Sequence, residues 1–171
     1  KEDLIKSHDM EGLIDKIGDG EDLVERINSA REKSSDLIVV YLNWGEDYAS
    51  KANTYQKDLA KKLAQAGADL IIGTRPHIVQ EVEYLDGRDG KESLVAYSLG
   101  NTISNQRLET MSGYMDHKLA QATEIGLLLD IDIVKEEGKT RIEKVDQLPI
   151  WVDKSVDENG KTSYLIYDSL K

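Results

Sequence analysis

Cysteine is missing from all 171 residues, which rules out disulfides, a thiolate nucleophile and Cys-ligated zinc. Positive charge is scarce: Lys and Arg total 22 against 33 Asp and Glu, a net charge of -11. A field of that sign disfavours nucleic acid and anionic membrane surfaces, because both need clustered positive charge. Long apolar runs are also lacking, so no stretch approaches a membrane span, and nothing at the start reads as a signal peptide. Lys1 opens abruptly in helix-like sequence, as if a preceding segment had been cut away. Repeats, low-complexity tracts and interdomain linkers are absent as well. Residues 1–171 are therefore read as one domain, long enough for a substantial core.

What is present is organised around Asp69-Leu-Ile-Ile-Gly-Thr-Arg-Pro-His77. An Ile-rich apolar run ends at Gly73, and polar and basic residues follow beside a proline. The pattern is that of a buried strand delivering a loop to one edge of a sheet. It occurs twice more: Asp36 to Leu42 runs into Asn43-Trp44-Gly45-Glu46, and Leu94 to Leu99 runs into Gly100-Asn101. Three strands thus end in loops carrying Asn, Glu, Arg, His and Asn. In open α/β sheets ligands bind outside the carboxyl ends of the strands.

The intervening segments supply the scaffold. Leu4, Ile5, Leu13, Ile14 and Ile17 share a helical face over residues 1–17, with His8 near it as either a ligand or a partly exposed helix residue. A second helix is expected after Gly18-Asp19-Gly20, capped by Asp19, with Glu21 and Asp22 at its positive end and Arg31 and Lys33 at its negative end. A third is bounded by an Asn53/Gln56 capping box and by Gly67, with Tyr55, Leu59, Leu63 and Ala66 facing the core. Strand, helix, strand at this spacing predicts a parallel βαβ unit with a right-handed crossover. Beyond His77, Val79 to Leu85 and Ser93 to Leu99 flank a hairpin turn at 86–90. A long polar loop occupies about 100–123, a length that is usually functional or mobile. Ile125 to Val134 and Thr140 to Leu148 form a second hairpin, with Leu129, Ile131 and Ile133 on a buried face opposite Asp130 and Asp132. A last strand is expected over Ser163–Tyr167.

Three motifs in order, Asn43-Trp-Gly-Glu-Asp-Tyr48, Ala66 to Gln80 with Thr74-Arg-Pro-His77 inside it, and Tyr97-Ser-Leu-Gly-Asn101, resemble the poly-gamma-glutamate capsule-biosynthesis (CapA-type) proteins, themselves similar to calcineurin-like metallophosphoesterases. Asn105-Gln106-Arg107 resembles Gram-positive members. The resemblance implies the C-terminal part of a layered α/β/β/α sandwich, a βαβ unit followed by antiparallel hairpins. Its strand-end loops would form a di-metal type of site. It also implies an extracellular or membrane-anchored protein, with the anchor outside this chain, working on capsule or cell-envelope polymer.

Two positions depart from the family pattern. Asn43 stands where His is usual before Trp-Gly, and Arg75 replaces the first His of His-Pro-His. Asn43 could ligate a hard cation through its amide oxygen. Arg75 cannot ligate, but its planar fork suits a phosphate or carboxylate, unless it simply pairs with Glu46 or Glu81. His77 reads as a metal ligand, a general base, or a hydrogen-bonded loop residue. Trp44 is a packing residue or a substrate platform. Asn101 is an amide donor to ligand or a turn residue, and Asp116-His117 reads as a solvated pair.

Two functions follow. One is a metal-assisted hydrolase or transferase on phosphoryl or peptide-like bonds, with His77 catalytic, Asn43 and His77 holding Mn, Zn or Mg in the complete domain, and Arg75, Glu46, Asn101 and Trp44 at the ligand. The other is a catalytically degenerate module that binds an anion or a partner in envelope assembly. No tightly bound metal is expected in this chain by itself. Expected partners are an anionic polymer or a phosphate-like small molecule, an N-terminal half or other capsule-assembly proteins, and a second copy of the chain, but no nucleic acid.

Overall fold

The computed structural model describes residues 17–169. The helix expected over 1–17, with His8, lies outside the described residues except for Ile17. Helix α1 (Glu21–Glu32) starts at Gly20, which takes a left-handed φ of 83° as N-cap. Asp19 was expected to hold that place; it sits one residue upstream, its carboxylate accepting from the Glu21 N–H at 3.2 Å. Arg31 does more than face the helix's negative end. Its guanidinium donates to the Gly67 carbonyl and pairs with Asp69, tying α1 to the turn just before the second strand of the sheet.

Strand β1 (Val39–Asn43), helix α2 (Thr54–Ala66) and strand β2 (Leu70–Thr74) form the anticipated parallel unit. The Asn53 side chain accepts from the Gln56 N–H at 2.9 Å while the Gln56 amide oxygen accepts from the Asn53 N–H at 3.1 Å. Gly67 ends the helix with φ 113°. Leu59, Ala60, Leu63 and Ala64 pack with Val40, Leu42, Ile71 and Val95 into the main core. Tyr55 is not part of it. It stands exposed, its hydroxyl donating to the Gly18 carbonyl at 2.8 Å, while its neighbour Gln56 takes the buried place in that turn.

Strands β3 (Val82–Asp86) and β4 (Glu92–Ala96) complete a sheet of order β1-β2-β4-β3, with β4 parallel to β2 and β3 antiparallel to β4. This is an α/β fold, and the carboxyl ends of β1, β2 and β4 share one edge. On β1 the pairing alternates. The Ile38 carbonyl accepts from Leu70 and the Trp44 N–H donates to Thr74, so even-numbered residues face β2. The backbone groups of Val39, Tyr41 and Asn43 face the outer edge, where β1 has no strand partner among the described residues. Val39 and Tyr41 are 52% and 70% exposed there.

The loop expected over 100–123 contains two short helices, α3 (Leu108–Met111) and α4 (His117–Ala122). A second, antiparallel sheet follows, β5 (Ile125–Glu136), β6 (Lys139–Val156) and β7 (Thr162–Asp168). The turn between β5 and β6 is Glu137-Gly138, both with positive φ, the two-residue geometry that matches strand twist. Strand β6 runs well past the expected end at Leu148. Pro149 lies at the margin of the β6–β7 ladder, its carbonyl accepting from the Ser169 N–H, so its missing donor leaves no interior bond empty. The buried face expected at Leu129, Ile131 and Ile133 is only partly covered. A register shift at Asp132/Ile133 breaks the alternation, and Ile133 is exposed.

Candidate functional site

Trp44 begins the first loop after β1. It is 2% exposed, stacked on Tyr97 at 5.8 Å, and its indole N–H donates to the Tyr97 carbonyl at 2.9 Å. Its role in this structure is packing, and it offers no platform to a substrate. Burial pushes the Tyr97 hydroxyl far up, and its hydrogen bond to Glu83 at 2.8 Å adds to this, so it stays a neutral donor.

The rest of that loop is shaped by two buried amides, Gln56, expected only as half of a capping box, and Gln80, for which no role was expected. The Gln56 side chain donates to Gln80 at 3.0 Å, and Gln80 donates to the Ala49 carbonyl at 2.8 Å. The Ala52 N–H donates to Glu81 at 2.9 Å. Slight burial works to raise the Glu81 carboxyl. That bond, with Lys57 and Lys51 nearby, outweighs it and holds the group below its ordinary range. A depressed carboxylate stabilises the fold above its unfolded range, and the contribution is lost as pH falls through the folded value. Glu46 is exposed and accepts from the Asn53 side chain at 3.3 Å. Asn43 is exposed at the end of β1, opposite Thr74 in the register.

Arg75 and His77 lie on the second loop, with left-handed φ values of 106° and 61°; Tyr48 on the first loop has φ 65°. For non-glycine residues such backbone costs on the order of 1–3 kcal/mol each and clusters where geometry serves function. The Tyr48 N–H donates to the Pro76 carbonyl at 2.7 Å, locking the two loops together. Arg75 pairs with Asp47 at 3.1 Å, and with neither Glu46 nor Glu81; both side chains are about half exposed. Replacing Arg75 by glycine should relieve strain and remove only an exposed ion pair. Urea unfolding should show Arg75→Gly stabilised by about 1 kcal/mol. A loss of stability would mean that Asp47 pairing, not backbone strain, decides the balance.

His77 is half-buried. Its Nδ1 lies 3.0 Å from the Asn101 side-chain oxygen, and its ring sits 5.8 Å from Tyr48. The Asn101 amide nitrogen donates to the Thr123 carbonyl at 2.9 Å and to the Gln106 side-chain oxygen at 3.4 Å. Gln106 in turn donates to the Tyr48 hydroxyl at 2.9 Å, closing a ring of four side chains. The Thr123 carbonyl can only accept, so the Asn101 NH₂ must face it and its oxygen must face His77. This network assigns the proton to Nδ1, and the lone pair at Nε2 remains free to take a proton or hold a cation. Two roles were expected for Asn101, a donor to ligand or a turn residue; both its donor directions are occupied within the fold.

Sequence reading therefore located His77, Arg75 and Asn101, named Tyr48 and Gln106 only as parts of motifs without a role at the site, and missed Thr123. Their types carry no chemical signature, and the bonds that bring them together span from 5 to 58 residues. Among the described residues no group of three or more His, Asp or Glu is placed to hold a metal ion. Among the described residues His77 therefore stands at this edge without a second and third metal-ligating side chain grouped with it.

A sequence model of a family described as "Bacterial capsule synthesis protein PGA_cap" matches residues 3–106. "Capsule biosynthesis protein CapA" of Bacillus anthracis is 37% identical over 87 residues, covering 49% of this chain and 20% of the relative. "PGA biosynthesis protein CapA" of Bacillus subtilis (strain 168) is 35% identical over 88 residues, covering 52% of this chain and 22% of the relative. The chain spans about a fifth of the length of these relatives. No helix among the described residues is long and apolar enough to cross a membrane.

Proposed function

Because the chain belongs to the bacterial capsule synthesis family, we propose that it serves the biosynthesis of a poly-gamma-glutamate type of capsule or cell-envelope polymer, with His77 as the working group of the strand-end site. The observation that carries the reading is the ring of side chains that holds a proton on Nδ1 and leaves Nε2 free. Packing at a sheet edge has no use for a fixed imidazole tautomer, whereas proton transfer depends on a positioned ring nitrogen, and strained backbone clusters at such sites. Arg75 beside it is the cation for an anionic chain or a phosphate-like group, released from Asp47 as the ligand binds. Relatives named for capsule synthesis associate the chain with the cell envelope; work outside the membrane, beside other capsule-assembly proteins, is the finer part of the proposal.

The described residues group no set of three His, Asp or Glu for Mn, Zn or Mg, so the chemistry proposed for them is proton transfer at His77 and anion binding at Arg75. The same observation favours the second reading, a module that binds the anionic polymer without acting on it. A gene carrying His77→Ala or Arg75→Ala, returned to a capsule-producing host lacking its own copy, separates the two. Surface polymer, quantified at matched protein levels, should fall about a hundredfold with His77→Ala, the span of a lost general base, and less with Arg75→Ala. Loss with Arg75→Ala alone indicates the binding module. Unchanged polymer in both overturns the proposal.

A further inference from the structure

Beyond residue 106, where the family match ends, lies a buried ion pair that the site does not visibly use. Arg107 and Glu124 are 5% and 9% exposed, with 3.4 Å between guanidinium and carboxylate. The Glu124 carboxylate also accepts from the Leu108 N–H at 2.9 Å and the Trp151 indole at 3.0 Å. Arg107 donates to the Val152 carbonyl and, at 3.0 Å, to Glu109. Each member of the pair is the chain neighbour of a residue that fixes Asn101: Gln106 precedes Arg107, and Thr123 precedes Glu124. Those two also lie together, the Thr123 hydroxyl sharing its one proton between the Gln106 carbonyl at 2.8 Å and the Ala120 carbonyl at 2.7 Å.

We infer that Arg107 and Glu124 are positioning residues for His77, anchoring Gln106 and Thr123 to β6 so that Asn101 keeps its oxygen on Nδ1. The inference rests on the reading of His77 as the working group. The route is continuous: β6 holds the pair, the pair holds residues 106 and 123, these hold the Asn101 amide, and the amide selects the imidazole tautomer. A buried ion pair is a poor source of net stability, since desolvation offsets most of its attraction. Its retention is better explained by the geometry it imposes.

The tautomer can be read directly by two-bond ¹H–¹⁵N correlation of the labelled chain in alkaline buffer, where imidazole is neutral, with His77→Gln identifying the signal among three histidines. The wild-type ring should show Nδ1–H. In Glu124→Gln the share of Nε2–H, the form a free imidazole prefers, should rise about tenfold, the effect of losing one well-made hydrogen bond. If Glu124→Gln does not fold, the double variant Arg107→Leu/Glu124→Leu removes both charges, leaves neither unpaired, and should show the same tautomer change. Lys62→Met, at the exposed pair with Glu21, should leave the ring unchanged. A folded Glu124→Gln or double variant that retains the wild-type Nδ1–H pattern overturns the inference. Because the readout needs no activity, that failure is distinct from failure of the His77 reading, which polymer yield tests.

Discussion

Gly73→Ala should remove much of the protein's stability. A Cβ at residue 73 would lie closer than 3.0 Å to the Tyr97 carbonyl oxygen and to the Trp44 indole nitrogen, the two atoms that bond each other. Neither can yield easily. The carbonyl follows β4 directly, and Trp44 is stacked on Tyr97 with almost no exposure. Adding overpacking to the loss of a buried indole hydrogen bond gives a cost of about 3–5 kcal/mol. Against a typical total of roughly 5–15 kcal/mol, the midpoint of urea unfolding should fall by a large fraction. Gly113→Ala is the matched control, since a Cβ there meets nothing within 4 Å. A midpoint for Gly73→Ala indistinguishable from that control would show that β2 and the Trp44 loop can separate at little cost.

Arg107→Met should be nearly as damaging, for an electrostatic reason. It leaves the Glu124 carboxylate 9% exposed and without its cation, while the Val152 carbonyl loses a donor. Breaking one side of a buried pair costs on the order of 3–5 kcal/mol. Lys62→Met, whose partner Glu21 is exposed, should cost at most about 1 kcal/mol. Thermal unfolding of the two variants at one pH and salt concentration makes the comparison. Equal midpoints would mean that Glu124 is rescued by Leu108 and Trp151 alone.

These two predictions mark the boundary of what the sequence discloses. The βαβ unit was legible because its signals are local and agree. An Ile-rich run ends at glycine, Asn53 and Gln56 form a box three residues apart, and Gly67 takes the left-handed position. The loops after β1, β2 and β4 were legible for the same reason, and with them Asn43, Arg75, His77 and Asn101. Roles were harder. Trp44 is settled as packing only by Gly73 and Tyr97, 29 and 53 residues on in sequence order. The partner of Arg75 was sought among glutamates and is Asp47, which the turn at Tyr48 swings towards it. Short helices α3 and α4 hid in polar sequence because each is held by tertiary contacts and has too few residues for periodicity. Strand β6 was cut short at Pro149, where the rule against proline in sheets applies to ladder interiors and not to their margins.

The two sheets differ in how far apart their partners lie along the chain, and this sets the order in which they can form. Strands β5, β6 and β7 are consecutive neighbours, joined by a two-residue turn and a short loop, so each pairing closes a small ring of chain. The first sheet instead places β4 between β2 and β3, and its site is sealed by the Tyr48–Gln106 bond across 58 residues. Closing a longer loop costs more chain entropy, and distant pairings are made late. The meander is therefore the early-forming element, and it presents Val152 and Trp151 as a ready dock for residues 107 and 124. Refolding traces should resolve into a fast phase for the meander and a slower one that ends with His77 reaching Asn101. On this order His77 and Asn101 are the last to meet, on a surface prepared by strands β5 to β7.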